Sequence, residues 1–243
     1  MVDLWDRLIN RVELWGATSD PEHSSIKAIP LSAALTEVGE VLRSDLSSIA
    51  CEPALEALEA RIASSPPAAF PAVYDGNLVL RTLCYVLCRA LAPVSAVETG
   101  VANGATSAYL LAALDKASTG RLYSIDWMPG GAGRRLPVGD LVPDDLRERW
   151  SLRVGPSRRV LAPLLRTIDP PSLFVHDSSH TYRNMRRELD TVTPFMRRPG
   201  VILVDDIQVN GSFVAWAGNA RPAYYASVGT ERPDHFVGVA VLT

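Results

Sequence analysis

Three aspartates and a histidine stand where two apolar runs of this sequence end. Ser172-Leu173-Phe174-Val175-His176 runs into Asp177-Ser178-Ser179-His180, and Val201-Ile202-Leu203-Val204 runs into Asp205-Asp206. Carboxylates gathered at one edge repel one another unless something positive lies between them. Oxygen donors of this kind suit a hard divalent cation such as Mg²⁺, Ca²⁺ or Mn²⁺, so Asp177, Asp205 and Asp206 are candidate metal ligands. The competing reading has Asp205 or Asp206 capping the next segment and Asp177 meeting the amino group of a cofactor. His180 follows Asp177 on the same loop and is the candidate general base, since an imidazole can take a proton near neutral pH. Its other reading is a hydrogen bond that holds the loop.

A second group lies in Val94 to Leu111, VSAVETGVANGATSAYLL. A short β-prone run ends in Glu98, and Gly100 and Gly104 follow at the spacing E-x-G-x-x-x-G. Thr106 comes next, with an apolar helix-forming run behind it. Glycines at a strand-to-helix turn tolerate unusual dihedrals and let a ligand approach the backbone. A dinucleotide fingerprint starting at Gly100 would need glycine where Ala102 and Ala105 stand, and a P-loop would need lysine after Gly104. Neither phosphate motif is present. About 25 residues after the turn, Arg121-Leu122-Tyr123-Ser124-Ile125 ends in Asp126. A carboxylate there can accept the hydroxyl protons of a ribose, although it can equally cap a turn.

These residues are useful together only if parallel strands carry them to one edge. From Val94 onward strand and helix patterns alternate, and Trp150 to Val154 reads as a further strand, followed by a turn at Gly155-Pro156-Ser157 and a helix from Arg158 to Thr167. The chain ends in two strands joined by the polar link Thr230 to Asp234, an antiparallel hairpin. The expected fold is α/β: a Rossmann-like, doubly wound, mostly parallel seven-stranded sheet with a C-terminal antiparallel hairpin, and ligands outside the carboxyl ends of the strands. A helix from Gly76 to Leu91 is apolar on nearly all sides and should pack beside the first strand. Residues 1–72 read as an N-terminal helical extension, with Trp5 and Trp15 as packing anchors and Pro53 opening the helix in CEPALEALEARIA. Residues 73–243 read as the core. The Gly-, Pro- and Arg-rich stretch 128–149 is a long loop placed to cover a substrate.

Composition narrows the partners. The formal net charge of −3 over 243 residues provides no electrostatic footprint for nucleic acid, and a small molecule is the expected partner. No apolar run approaches the ~20 residues of a membrane span, and the N-terminus lacks the layout of a signal peptide. Three cysteines without framework spacing point to a reducing cytoplasm. Cys84 and Cys88 read as core packing, and His23 and His235 receive no role.

In order and spacing, VETGVANGATS, SIDW and FVHDSSHTYRNMRRELDTVTPFMRRPGVILVDDI resemble the class I S-adenosylmethionine (SAM) dependent methyltransferases of the small-molecule type. The nearest pattern is the group whose fourth-strand motif runs FIDGDHSYE and whose fifth strand ends in VDD, related to macrolide-sugar and catechol-type O-methyltransferases. The resemblance covers about Asp75 to Thr243. It implies that Glu98, Gly100, Gly104 and Thr106 line the methionine and ribose end of SAM and that Asp126 holds the ribose hydroxyls. Gly155 and Ser157 would contact the adenine, and Asp177, Asp205 and Asp206 would bind a divalent metal, most simply Mg²⁺. Asp177 and His180 would form the catalytic pair. The second acid of the DGDH motif is Ser179 here, which puts one ligand or SAM contact in doubt. The implied activity is O-methylation of a small polyhydroxylated or phenolic acceptor, such as a natural-product or glycolipid sugar. The alternatives are an NAD(P)-dependent oxidoreductase, or a methyltransferase-fold binding protein without activity. An apolar extension next to the active-site edge leaves room for a homo-oligomer.

Overall fold

The apolar runs of this chain alternate between two faces, which is what a strand buried on both sides requires. The computed structural model describes residues 27–65, 70–71, 74–127 and 138–243. Trp5, Trp15, His23 and the first part of the 128–149 loop lie outside the described residues.

In chain order the elements are β1 (Ala28–Ile29), α1 (Leu31–Leu42), α2 (Leu46–Ala50), α3 (Pro53–Ala63), α4 (Leu78–Leu91), β2 (Ser95–Thr99), α5 (Ala105–Lys116), β3 (Arg121–Asp126) and β4 (Trp150–Val154). They continue with α6 (Ser157–Leu165), β5 (Leu173–His176), α7 (Tyr182–Val192), β6 (Gly200–Val204), α8 (Ser212–Ala220), β7 (Tyr224–Gly229) and β8 (Phe236–Leu242). Helix starts follow local chemistry. Pro53 sits in the first turn of α3, and the side chains of Asn77 and Thr181 accept from backbone N–H groups to cap α4 and α7.

The sheet has eight strands in the order β1-β7-β8-β6-β5-β2-β3-β4. Strands β2 to β6 pair in parallel, and β8 runs antiparallel to both β6 and β7. The seven expected strands and the terminal hairpin are present. The eighth is β1, a two-residue parallel partner of β7, too short to carry a periodic signal. From β2 the chain winds outward through β3 to β4, then returns to β5 on the other side of β2. The crevice between β2 and β5 is therefore the topological switch point, where open sheets of this kind bind ligands.

Two apolar layers flank the sheet. Ala96, Leu173, Val175, Val201 and Leu203 face a core shared with α4, α5 and the N-terminal helices, whereas Val97, Phe174, Ile202 and Val204 face a second core under α6, α7 and α8. Helix α4 lies deep in the first layer, with Leu80 and Leu83 to Cys88 all buried. Cys84 and Cys88 are among those packed residues, as expected. The described part of the N-terminal extension joins the same core through Ala34, Leu35 and Val38. Polar clamps fasten it as well: Tyr85 Oη donates to Glu52 at 2.5 Å, and Tyr109 Oη donates to Glu59. No helix among the described residues is long and apolar enough to cross a membrane.

Candidate active site

The strand tips at the switch point are pinned to one another by backbone hydrogen bonds. Gly100 N–H donates to Ile125 O at 2.9 Å, Asp177 N–H to Thr99 O at 2.8 Å, Asp205 N–H to His176 O at 2.9 Å, and Gly155 N–H to Asp126 O at 2.8 Å. Five loops that are far apart in sequence thus open into one cavity of about 430 Å³, within the size range of small-molecule sites. Of the residues singled out in the sequence, Gly100, Asp126, Gly155, Ser157, Asp177, His180, Asp205 and Asp206 line it.

Glu98, Gly104 and Thr106 do not line it. Glu98 is fully buried behind the turn, where its Oε2 accepts from Ser107 Oγ at 2.6 Å and Ser124 Oγ at 2.7 Å. Burial, only partly opposed by those hydroxyls, pushes its carboxyl up to about 8, so it stands as a neutral acid at pH 7. Gly104 opens α5 with φ 89°, and a Cβ there would come within 2.8 Å of Gly139 Cα. Thr106, in the first turn of α5, is buried under Gly76. At Gly100, φ is +87° and a Cβ would stand 1.8 Å from the Asp177 carbonyl oxygen. Glycine is needed here so that β5 can pass close behind the turn, which also serves to open the cavity at the tip.

One end of the cavity is built from backbone. Asp126 Oδ2 accepts from Val101 N–H at 2.7 Å and Ala102 N–H at 2.9 Å, which fixes the turn in a shape that includes Ala102 at φ 47°. Trp127, with the Arg158 guanidinium 5.6 Å from its ring centroid, walls this end beside Gly155, Pro156 and Ser157.

The other end is dense with charge. One ligand atom each from Asp177, His180 and Asp205 lies within 4.8 Å of the others. Asn77 Nδ2 donates to Asp205 Oδ1 at 2.8 Å. Asp206 contacts this group only through the histidine: at φ 52° it directs Oδ2 to His180 Nδ1 at 3.3 Å and Oδ1 to His235 Nδ1 at 3.1 Å. The closest donor set is therefore two aspartates and a histidine, in place of the three aspartates expected from strand ends alone. His235, given no role from the sequence, lines the cavity together with Tyr74 and Arg232, none of which sits in a recognisable motif.

Electrostatics account for that arrangement. Burial would lower the His180 pKa, but hydrogen bonds to Asp177 and Asp206 and the charges of Asp177 and Asp205 raise it to about 10. The hydrogen bond from His180 is the largest cause holding Asp206 well below the usual carboxylate range. Burial and the neighbouring Asp177 charge raise the Asp205 carboxyl. A protonated His180 would supply the positive charge that the neighbouring acids call for.

A family model described as a methyltransferase domain matches residues 97–207. Among solved structures, a putative O-methyltransferase from Klebsiella pneumoniae is 17% identical with a TM-score of 0.55, over 87% of this chain and 97% of its own. An O-methyltransferase from Bacillus cereus in complex with S-adenosylhomocysteine (SAH) is 17% identical with a TM-score of 0.51, over 86% of this chain and 97% of its own. A comparison with curated protein sequences gives no match. Residues 97–207 thus match a methyltransferase domain, and the fold built around them is similar to that of these two O-methyltransferase structures, in line with the resemblance read in the sequence.

Proposed function

We propose that this chain transfers a methyl group from SAM to a hydroxyl of a small polyhydroxylated or phenolic acceptor, with a divalent cation held by Asp177, Asp205 and His180. The observation that carries the reading is a single cavity with the glycine turn and Asp126 at one end and this donor set at the other. The Bacillus cereus neighbour holds SAH on the same fold. A hard cation fits the two carboxylates that converge in this set, and one of them, Asp205, is held in an environment that disfavours its charge.

SAM supplies a methyl carbon already activated by its sulfonium. At the donor end, the Asp126 carboxylate edges the cavity where ribose hydroxyls would lie, and the Trp127 and Ser157 walls would flank the adenine. Much of the acceleration would come from holding an acceptor oxygen in line with that carbon, which is a matter of geometry. A bound divalent cation would orient vicinal acceptor oxygens and lower the pKa of the attacking hydroxyl. A reducing, cytoplasmic setting fits the free thiols of Cys51, Cys84 and Cys88.

The test is calorimetric titration with SAM and with NAD, followed by SAH release across a panel of catechols and sugars with Mg²⁺ or EDTA. SAM binding and Mg²⁺-dependent release are expected. Binding of NAD in place of SAM would overturn the reading, and release indifferent to EDTA would remove the cation while leaving methyl transfer.

A further inference from the structure

Beneath the cavity, a carboxylate given no role from the sequence ties the strand tips to the loop after β5. Glu188 lies on α7 and is 1% exposed. Its Oε2 accepts from Thr99 Oγ1 at 2.5 Å and lies 2.7 Å from His176 Nδ1. Its Oε1 accepts from Ser178 Oγ at 3.0 Å and from Asn184 Nδ2 at 3.1 Å. One side chain therefore joins the tips of β2 and β5, the loop after β5, and the first turn of α7. Burial alone would raise its pKa, but the His176 imidazole and the hydroxyl donors hold it down to about 2, so it is ionised.

Asn184 extends the connection. Its Nδ2 donates to Ser178 Oγ and to Ser179 O, both at 2.9 Å, and its Oδ1 accepts from Ser157 Oγ at 3.5 Å. Ser157 opens α6 at the donor end, whereas Ser178 and Ser179 lie between Asp177 and His180. The loop 177–180 has no regular structure of its own. The orientation of its two chemistry-bearing side chains must come from what grips Ser178 and Ser179.

We infer that Glu188 is a positioning residue for the cation end: by holding Ser178 directly and Asn184 beside it, it sets where Asp177 and His180 stand, and through Asn184 it ties that loop to Ser157. The inference rests on the proposed cation reading. Outer partners of ligand-bearing groups commonly govern metal affinity by about 10–100-fold, because displacing a ligand by about 1 Å is enough to spoil a site.

Titration of Mn²⁺ alone into the wild type, Glu188→Gln and Ser178→Ala tests it. Glu188→Gln keeps the shape but turns one acceptor into a donor, and should weaken Mn²⁺ by about 10–100-fold. Ser178→Ala removes only the hook to the loop and leaves the Glu188–His176 contact intact. It should weaken Mn²⁺ by about 10-fold at an unchanged Tm, and it decides the matter if Glu188→Gln fails to fold. Wild-type Mn²⁺ affinity in Ser178→Ala, or a lowered Tm with unchanged affinity in Glu188→Gln, would overturn the inference. A wild type that binds no Mn²⁺ would remove the cation reading and the inference with it.

Discussion

The two ends of the cavity are made of different materials. At the Gly100 end the fixed groups are backbone amides, and one oxygen of Asp126 is already committed to two of them. At the Asp177 end the groups are side chains whose charges compete: His180 is pushed up to about 10 while Asp205 is raised and Asp206 lowered around it. The first end is shaped before any ligand arrives. The second is a cluster of opposed charges whose side chains hold one another.

Substitutions should separate the two ends. The largest effect is expected at the charged end. Asp205→Asn keeps an acceptor for Asn77 but removes the charge, and should cut Mg²⁺-supported turnover by on the order of 100-fold or more, with SAH affinity unchanged. SAH affinity falling alongside turnover would mean that the ends are not separable. Asp126→Ala is the reciprocal change: SAH affinity should weaken by ~1–3 kcal/mol, the order expected for lost charge-assisted hydrogen bonds, while Mn²⁺ affinity holds.

A smaller effect, confined to stability, is expected under the turn. The Glu98 carboxyl is raised from 4.5 to about 8 by burial against the opposing serine hydroxyls. The native state therefore binds this proton more tightly than the unfolded chain does. That contribution is complete below about pH 4.5 and is lost as pH rises through about 8. Glu98→Gln, which keeps the group neutral, should give little gain near pH 5 and a growing gain towards pH 8, read as a widening Tm difference. Parallel Tm profiles would contradict the buried neutral acid. The smallest effect is expected far from the cavity, where Arg61 meets Asp145 at 2.7 Å with both side chains more than half exposed. Arg61→Ala should change stability by no more than ~0.5 kcal/mol.

What the sequence showed follows the same division. Strand ends announce themselves, because an apolar run that stops at an acid at the edge of a parallel sheet has few other meanings. Asp126, Asp177 and Asp205 reach the cavity for that reason. Glu98 also ends a β-prone run, yet its side chain points to the far face, and only the pairing register with Ser124 decides which side that is. The exchange of Asp206 for His180 in the donor set depends on one left-handed residue, which spacing does not reveal. Glu188 was hidden for a different reason: in RNMRRELD it reads as part of a solvated charged helix face, whereas α7 turns it inward beneath the strand tips. Tyr74, Arg232 and His235 come from a helix entry and a hairpin link, and only the assembled fold brings them to the cavity.

The central claim is that one cavity binds a sulfonium donor at the glycine turn, next to but independently of a cation at the acid cluster. Calorimetric titration of SAH into the wild type, Asp126→Ala and Asp177→Ala tests it most directly. The account predicts binding to the wild type, weaker binding to Asp126→Ala and wild-type binding to Asp177→Ala. No SAH binding by the folded wild type, or equal binding by Asp126→Ala, would contradict it.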